Sequence, residues 1–193
     1  MKERIENIFE ESIKVKRRFL EDQSAILEQT VLALADSLKK GAKLMIFGNG
    51  GSAGDSQHLA AEFVNRYLIE RPPLAAIALT TDTSILTAIG NDYDFAEIFE
   101  KQIKSLGKAG DVALGISTSG SSVNVIRGLE TARSMGLTTI GLGGPPDGPM
   151  KEKCDFYMSI YGAVTPRVQE TQLLVEHILV ELVDAELFGN PAQ

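Results

Sequence analysis

The sequence is poor in cysteine, in positive charge and in long apolar runs, and each shortage excludes a class of protein. Cys154 is the only cysteine among 193 residues, so no internal disulfide can form. The formal net charge is −7 and no basic block occurs, which argues against nucleic acid and anionic membranes as general partners. No apolar run approaches the roughly 20 residues of a membrane-spanning helix, and the charged start lacks the apolar core of a signal peptide. We therefore expect a cytoplasmic protein.

The length and composition predict one ordinary domain. A chain of 193 residues with 44% hydrophobic residues can bury a core of normal size. Near its start, apolar side chains recur at helical spacing on both sides of Asp22 and Ser24, either of which could cap a second helix that ends at Gly41. We predict a single domain over residues 1–193, with an N-terminal helical hairpin over 1–40 and an α/β core over 41–193.

After this hairpin, short apolar runs alternate with helical patterns. The runs are rich in Val, Ile and Leu without polar alternation, which indicates strands buried on both faces of a parallel sheet. The predicted fold class is therefore α/β, a flavodoxin-like sheet of five parallel strands sandwiched by helices. The predicted strands are 43–47, 75–79, 111–116, 138–142 and 156–160. The predicted helices are 52–65, one or two within 83–106, 122–135 and 165–188.

The loop after the first predicted strand has the features of an anion-binding site. Gly48, Gly50 and Gly51 let a ligand approach the main chain, and the helix that follows aims free N–H groups at the loop. On that helix His58 and Glu62 are four residues apart, so an imidazole and a carboxylate share one face. By spacing alone, they are either a reactive or metal-binding pair or solvated surface charge.

The loop after the third predicted strand, residues 117–122, is rich in hydroxyl groups. Its five hydroxyls, with backbone N–H groups at the start of the next helix, can bind the terminal oxygens of a phosphate monoester without a lysine. One or two hydroxyls would be enough for a helix cap, and Ser52 in the first loop could complete the cradle. A further loop at the same sheet edge, residues 80–84, leads toward Gly90-Asn91-Asp92.

Two nucleotide-binding motifs fit the sequence poorly. The run Gly48-Asn-Gly-Gly-Ser-Ala53 matches the loose dinucleotide fingerprint, which requires an acidic residue about 20 positions farther on. Asp82 lies about 30 positions beyond the glycines, inside a threonine-rich loop, so a nicotinamide or flavin enzyme is a weak alternative. The P-loop lysine is absent, so a nucleoside triphosphate site is not expected.

The last predicted helix carries the second of only two histidines. Gln169, Glu170, Glu176 and His177 interrupt its apolar series. This polar stripe is either functional or simply faces solvent.

Together these motifs resemble the sugar isomerase (SIS) domain superfamily and, within it, the phosphoheptose isomerases. The resemblance covers nearly the whole chain and has its motifs in one order. Thr165-Pro166 departs from the pattern, in which a polar or acidic neighbour of Arg167 is expected. The matching motifs are Gly48-Asn-Gly-Gly-Ser52, His58 with Glu62 and Arg66, Gly90-Asn-Asp92, Gly115-Ile-Ser-Thr-Ser-Gly120 with Ser122, and Arg167-Val-Gln-Glu170 leading to His177.

The resemblance implies an aldose-ketose isomerase. Its members convert sedoheptulose 7-phosphate to D-glycero-D-manno-heptose 7-phosphate through an enediol, which begins bacterial heptose synthesis for lipopolysaccharide or another glycan. The resemblance also implies that Glu62 and His177 are the acid/base pair, and that a zinc ion (Zn2+) has the ligands His58, Glu62, Gln169 and His177. The implied substrate contacts are Asn49, Gly50, Gly51, Ser52, Glu62, Arg66, Asn91, Asp92, Ser117, Thr118, Ser119, Ser122 and Gln169.

The chemistry assigns the implied pair two tasks. A carbonyl moves between C1 and C2 when a proton beside it is removed and then returned to the neighbouring carbon. We expect Glu62 to act as the base and His177 to move protons among the oxygens. Zinc would polarise the carbonyl, but a zinc-bound glutamate is a poorer base. Either Glu62 leaves the metal when substrate arrives, or the zinc is mainly structural.

Two other functions belong to the same superfamily. One is a non-catalytic relative that binds the replication initiator DnaA, and the other is a regulatory sensor of sugar phosphates. Neither is expected to keep both the glutamate and the final histidine. The presence of Glu62 and His177 therefore favours the enzyme.

The implied ligand set leads to a prediction about assembly. Gln169 and His177 are eight residues apart, about 12 Å along a helix axis, and one ion can hardly collect both from one straight helix. Either the helix bends sharply or the two groups come from different copies of the chain. We predict a homotetramer with active sites at subunit interfaces. The apolar N-terminal residues of each chain should pack against neighbouring copies.

Overall fold

The computed structural model describes residues 1–162 and 164–189. Residues 163 and 190–193 of the predicted single domain lie outside this part. The strands are β1 (Leu44–Gly48), β2 (Ala76–Ala78), β3 (Val112–Ile116), β4 (Thr138–Leu142) and β5 (Phe156–Met158). The α-helices are α1 (Lys2–Lys39), α2 (Gly51–Val64), α3 (Thr83–Asp92), α4 (Ile98–Leu106), α5 (Val123–Ser134) and α6 (Thr165–Phe188). Short 3-10 helices span Phe95–Glu97 and Lys151–Lys153.

The five strands form one parallel sheet in the order β2-β1-β3-β4-β5. This confirms the predicted flavodoxin-like fold. In such sheets ligands bind beyond the carboxyl ends of the strands where the strand order reverses, here between β1 and β3. The loops that follow β1 and β3 are the two predicted anion-binding loops.

The side chains of β1 explain how the sheet is covered on both faces. Leu44 and Ile46 pack into an apolar layer with α1, α2 and α6, whereas Met45 and Phe47 pack into a second layer with α4 and α5. The Phe47 ring lies 5.1 Å from the Phe99 ring of α4. Because every residue of β1 is buried, the strand tolerates no polar alternation, as its sequence indicated.

The predicted N-terminal hairpin is wrong, because α1 is one continuous helix of 38 residues. Asp22 and Ser24 remain within it and are exposed. Both residue types lower helix propensity by only about half a kcal/mol, and neither glycine nor proline interrupts the helix. Packing along α6 and β5, with Phe19 buried, compensates for that small cost. The helix ends before Gly41, as expected, where φ is +84°.

Helices α2 and α6 lie side by side on one face of the sheet and run in the same direction. Gln169, near the start of α6, contacts Gly51 at the start of α2. About two turns farther along each helix, His177 of α6 meets His58 of α2. These two helices therefore present their polar residues to each other.

In the described part of the chain, no helix combines the length and the apolar character needed to cross a membrane. The cytoplasmic location stays a prediction.

Candidate active site

The loops after β1 and β3 are joined by a pair of asparagines. Asn49 and Asn124 donate hydrogen bonds to each other's side-chain oxygens, each at 2.8 Å. The Asn124 oxygen also accepts the Val125 backbone N–H. Sequence reasoning predicted Asn49 but missed Asn124, since a contact 75 residues away leaves no local pattern. This bridge fixes the two loops at the place where the strand order reverses.

Gly50 and Ser52, two of the implied substrate contacts, lie where the first loop enters α2. Gly50 has φ +57°, which favours glycine, and it immediately precedes α2. Ser52 is buried in the first turn of α2. A Cβ added at Gly51 would lie 2.6 Å from the Gln169 amide nitrogen, so Gln169 lies directly against this loop. Gly50, Gly51, Ser52 and Gln169 are thus gathered around one helix N-terminus.

The second loop gathers hydroxyl groups. The Ser117 hydroxyl lies 3.0 Å from that of Ser122 and 3.4 Å from that of Ser119. Ser119 also accepts hydrogen bonds from the backbone N–H and the hydroxyl of Ser121. Thr118 is half-buried between them. The turn at Gly120, with φ +64°, brings these side chains together ahead of α5.

A cleft opens beside the first loop. It has a volume of about 140 Å³ and is bordered by Gly48, Asn49 and Gly50 on one side. Thr80, after β2, and the aromatic ring of Phe95 border the other side. Thr80 also donates a hydrogen bond to the Ala53 carbonyl at 3.2 Å, which ties the third predicted loop to α2.

Two histidines and a glutamate converge between α2 and α6. The Nε2 atoms of His58 and His177 lie 3.0 Å apart. An oxygen of Glu62 lies 3.9 Å from the same nitrogen of His58. Glu62 is half-buried, and all three side chains belong to one chain. The structure thus brings the implied acid and base to the same place.

Tyr67 completes this group and was missed by sequence reasoning. Its ring stacks on the His177 ring with 5.6 Å between centroids and 17° between planes. Tyr67 lies in the segment after α2, and only the tertiary fold brings it to α6. Burial and the neighbouring carboxylates of Glu181 and Glu62 raise the pKa of Tyr67, so its hydroxyl stays protonated.

Three other implied substrate contacts are exposed within one chain. Arg66 is exposed and forms an ion pair with Glu70 at 3.6 Å. Asn91 donates a hydrogen bond to Asp92 at 2.8 Å, and both are exposed at the end of α3. Helix α3 has no buried residue.

Arg167, next to the departure at Thr165-Pro166, makes structural contacts. It donates to the Ile8 carbonyl of α1 at 2.9 Å and pairs with Glu170 at 2.8 Å. Its position is therefore fixed by α1 and α6.

The donor atoms fit the implied zinc ion in part. Zinc takes imidazole nitrogens at about 2.0–2.1 Å, so two nitrogens 3.0 Å apart can share one ion. Within residues 1–162 and 164–189, no three His, Cys, Asp or Glu side chains close around one point. Gln169 contacts Gly51, about 10 Å before His58 along α2. The two imidazoles fit, whereas Glu62 and Gln169 do not close on them.

Glu176, immediately before His177, is fully buried. Neither of its carboxylate oxygens has a hydrogen-bond partner among the described residues. Burial, and to a smaller extent the charge of Asp55, raises the pKa of Glu176 to about 8. The alternative that the polar stripe of α6 simply faces solvent is therefore wrong at this position. Glu176 carries a proton at neutral pH.

Replacing Glu176 with glutamine should stabilise the fold increasingly as pH rises. The folded-state pKa lies above the ordinary value of 4.5, so unfolding of the wild type releases a proton between these values. Wild-type stability then falls by about 1.4 kcal/mol per pH unit across this window, and the amide removes that loss. Urea unfolding at about pH 5 and about pH 7.5 measures the difference, with Glu181→Gln as the exposed control. A difference that does not grow with pH contradicts the assignment.

The chain matches the family model described as "SIS domain" over residues 8–144. It is 47% identical over 192 residues to a phosphoheptose isomerase from Thermodesulfovibrio yellowstonii, covering 100% of this chain and 96% of the relative. It is also 56% identical over 157 residues to one from Nitratidesulfovibrio vulgaris strain Hildenborough, covering 81% of this chain and 76% of the relative.

Solved structures agree with these sequence matches. Phosphoheptose isomerase GmhA from Neisseria gonorrhoeae superposes with a TM-score of 0.89 at 39% identity, covering 95% of this chain and 98% of that one. A phosphoheptose isomerase from Francisella tularensis gives a TM-score of 0.89 at 34% identity, covering 94% and 97%. The similarity extends over the sheet, the two loops and both helices of the histidine pair. The chain belongs to the phosphoheptose isomerase family of SIS-domain proteins.

Proposed function

We propose that the chain is an aldose-ketose isomerase that converts sedoheptulose 7-phosphate to D-glycero-D-manno-heptose 7-phosphate. The observation that carries this proposal is the arrangement along α2. Its N-terminus joins the anion-binding loops, and His58, facing His177, follows Gly51 by seven residues or about 10 Å. The eight bonds from C1 to the phosphorus of an open-chain heptose 7-phosphate also extend about 10 Å. A phosphate held at the loops therefore places C1 and C2 near the reactive pair.

The residues of the chain divide the chemistry between them. Glu62 removes a proton from C1 while His177 gives a proton to the C2 oxygen, which produces the enediol. Glu62 then returns its proton to C2, and the C1 hydroxyl gives its proton back to His177. The product is the aldose, and both side chains return to their starting states. The hydroxyls of Ser117, Ser119 and Ser122 hold the phosphate throughout.

We further propose that His58 and His177 hold a zinc ion; Glu62 and Gln169, the further ligands that the resemblance implies, do not close on the two imidazoles within one chain. When bound, zinc supplies polarisation of the substrate carbonyl. The separation of Glu62 from His58, 3.9 Å, supports a glutamate that is free to act as the base. The close approach of the two imidazoles supports their role as ligands.

An assay with the purified chain tests the proposed reaction. Sedoheptulose 7-phosphate should yield the aldose, detected by NMR at its anomeric proton, and fructose 6-phosphate should react much more slowly because its phosphate lies one carbon nearer. Equal rates with both sugars would contradict the length argument.

Neither the structure nor the comparisons provide support for the DnaA-binding alternative.

We also propose that the chain assembles into a homotetramer. Helix α1 exposes Phe9, Ile13 and Leu20, with Leu20 66% exposed. Together with Leu174 and Ile178 of α6, α1 forms a groove of about 590 Å³. A second copy that covers this groove would remove a large apolar patch from water.

The active site gives a second reason for assembly. Arg66, Asn91 and Asp92 are exposed in one chain, and contacts between copies could bring them to a substrate. Glu62 and His177 already lie together in one chain, so a mixture of Glu62→Gln and His177→Ala chains should not regain activity. Gln169 remains the candidate for a ligand supplied by another copy.

A charge in the α1 groove should prevent assembly. Leu20→Glu places a carboxylate in the proposed interface. Gln29→Glu adds the same charge at an exposed position nine residues farther along α1, on the opposite side of the helix. Sedimentation equilibrium should give about four chain masses for the wild type and the control, and a smaller species for Leu20→Glu. A wild-type monomer at micromolar concentration would refute the assembly.

A further inference from the structure

We propose that Arg71 and Asp184 are positioning residues that set the alignment of α2 against α6 and thereby the geometry of the reactive pair. This inference rests on the proposed function for its effect on rate. Arg71 lies in the segment after α2, Asp184 lies in the last turns of α6, and neither touches the histidine pair. Both side chains are buried, with 1% and 5% exposure.

The Arg71 guanidinium connects three elements of the chain. It donates to Asp184 of α6 from Nε at 2.9 Å. It also donates to the backbone carbonyl of Glu62 from Nη2 at 2.9 Å and to that of Phe63 from Nη1 at 2.6 Å. These carbonyls belong to the last turn of α2, which has no basic residue of its own. Arg71 therefore caps α2 at Glu62 and fastens that end to α6.

The same contact closes the segment that carries Tyr67. Residues 65–71 leave the end of α2 and return to it, and Arg71 contacts the carbonyls at 62, 63 and 65. Tyr67, in the middle of this segment, stacks on His177. Arg71 thus acts at once on the backbone of the base and on the ring that packs against the acid.

We call Arg71, Asp184 and the hydrogen bonds between them and α2 the clamp. Helix geometry connects the clamp to the position of His177. Asp184 follows His177 by seven residues, about 10 Å along α6, and α6 is unbroken between them. Glu62 lies at the end of α2 that Arg71 holds. Sliding of α6 along α2 would break the Arg71 contacts and separate His177 from His58 and Glu62 together. A misplacement of about 1 Å commonly costs a reaction about a hundredfold in rate.

Stability alone does not account for a buried ion pair of this kind. Burial raises the pKa of Asp184 although Arg71 opposes the shift, and one Asp184 oxygen has no hydrogen-bond partner among the described residues. Apolar side chains of similar size often replace buried ion pairs without loss of stability. Apolar side chains cannot supply the N–H groups with which the planar Arg71 guanidinium contacts Glu62, Phe63 and Asp184 at once.

Two variants separate positioning from folding. Arg71→Lys keeps the charge but cannot reach all three partners. The paired change Arg71→Met with Asp184→Leu leaves no buried charge uncompensated, so it is expected to fold. Lys43→Met is the matched control, since it breaks a partly buried ion pair with Asp111 on the sheet, away from both helices.

Steady-state kinetics should show a loss in kcat with little change in KM. We expect kcat to fall at least about tenfold in both variants, because the reactive pair is displaced while the phosphate loops remain intact. The KM for sedoheptulose 7-phosphate should stay within about twofold. Lys43→Met should keep both constants. If a folded paired variant keeps the wild-type kcat, the clamp has no positioning role.

A second readout does not depend on the reaction. The chain has only two histidines, so their ring protons can be assigned by NMR. The stacked Tyr67 ring should shift the His177 ring protons upfield, and this shift should be lost in Arg71→Lys and kept in Lys43→Met. An unchanged His177 shift in Arg71→Lys overturns the proposal, even if the paired variant does not fold. A wild type without isomerase activity refutes the proposed function, and the NMR shifts then decide the positioning separately.

Discussion

Glu62→Gln should lower kcat by roughly 10² to 10⁴, the usual loss when general acid-base catalysis is removed. Glutamine keeps the size of the side chain and its place on α2 but cannot take a proton. The His58–His177 contact and the Tyr67 stack do not involve the Glu62 carboxylate, so the fold should persist. KM should change little, since the phosphate loops are untouched.

Initial rates with sedoheptulose 7-phosphate measure this effect. Glu181→Gln is the matched control, because it makes the same chemical change on α6, one turn beyond His177, at an exposed position. We expect the control to retain the wild-type rate. If Glu62→Gln turns over the heptulose at the wild-type rate, another group must be the base.

The double variant Ser119→Ala with Ser122→Ala should raise KM by about a hundredfold. The hydroxyls of Ser119 and Ser122 both lie within 3.4 Å of the Ser117 hydroxyl. No lysine lies in either anion-binding loop. Each lost hydrogen bond to a charged phosphate weakens binding by about 1–2 kcal/mol, or about tenfold. The reactive pair is unaffected, so kcat should change much less.

The affinity can also be measured without turnover, by calorimetry with inorganic phosphate. Ser105→Ala, at an exposed position of α4, is the control and should bind like the wild type. If the double variant retains the wild-type KM, the phosphate is held elsewhere, for example by the backbone N–H groups of the α2 N-terminus.

The sheet could be predicted because burial on both faces leaves a direct mark on sequence. The strand β1 reads as an unbroken apolar run since both neighbouring layers bury it. A break in α1 was predicted because Asp22 and Ser24 are typical cap residues, but the helix is continuous. Only its long packing contact with α6 shows that the helix continues through them. Local propensity is weak compared with such packing.

The active site was predictable where its residues are neighbours along the chain. The four-residue spacing of His58 and Glu62 indicates a shared face, and the loop hydroxyls follow one another. The contacts from His177 to His58, from Asn124 to Asn49 and from Tyr67 to His177 join distant segments, so no spacing reveals them. The resemblance supplied His177, whereas Tyr67 and Asn124 emerged only from the structure.

The fate of the C1 protons distinguishes an enediol reaction with Glu62 as the base from other routes. When purified wild-type protein acts on sedoheptulose 7-phosphate in D2O, NMR should show the aldose product with deuterium at C2, because Glu62 exchanges its proton with solvent before returning it. The Glu62→Gln variant should show neither product nor exchange over the same period. A wild-type protein that forms no aldose and leaves both C1 protons in place would rule out the proposed isomerase reaction.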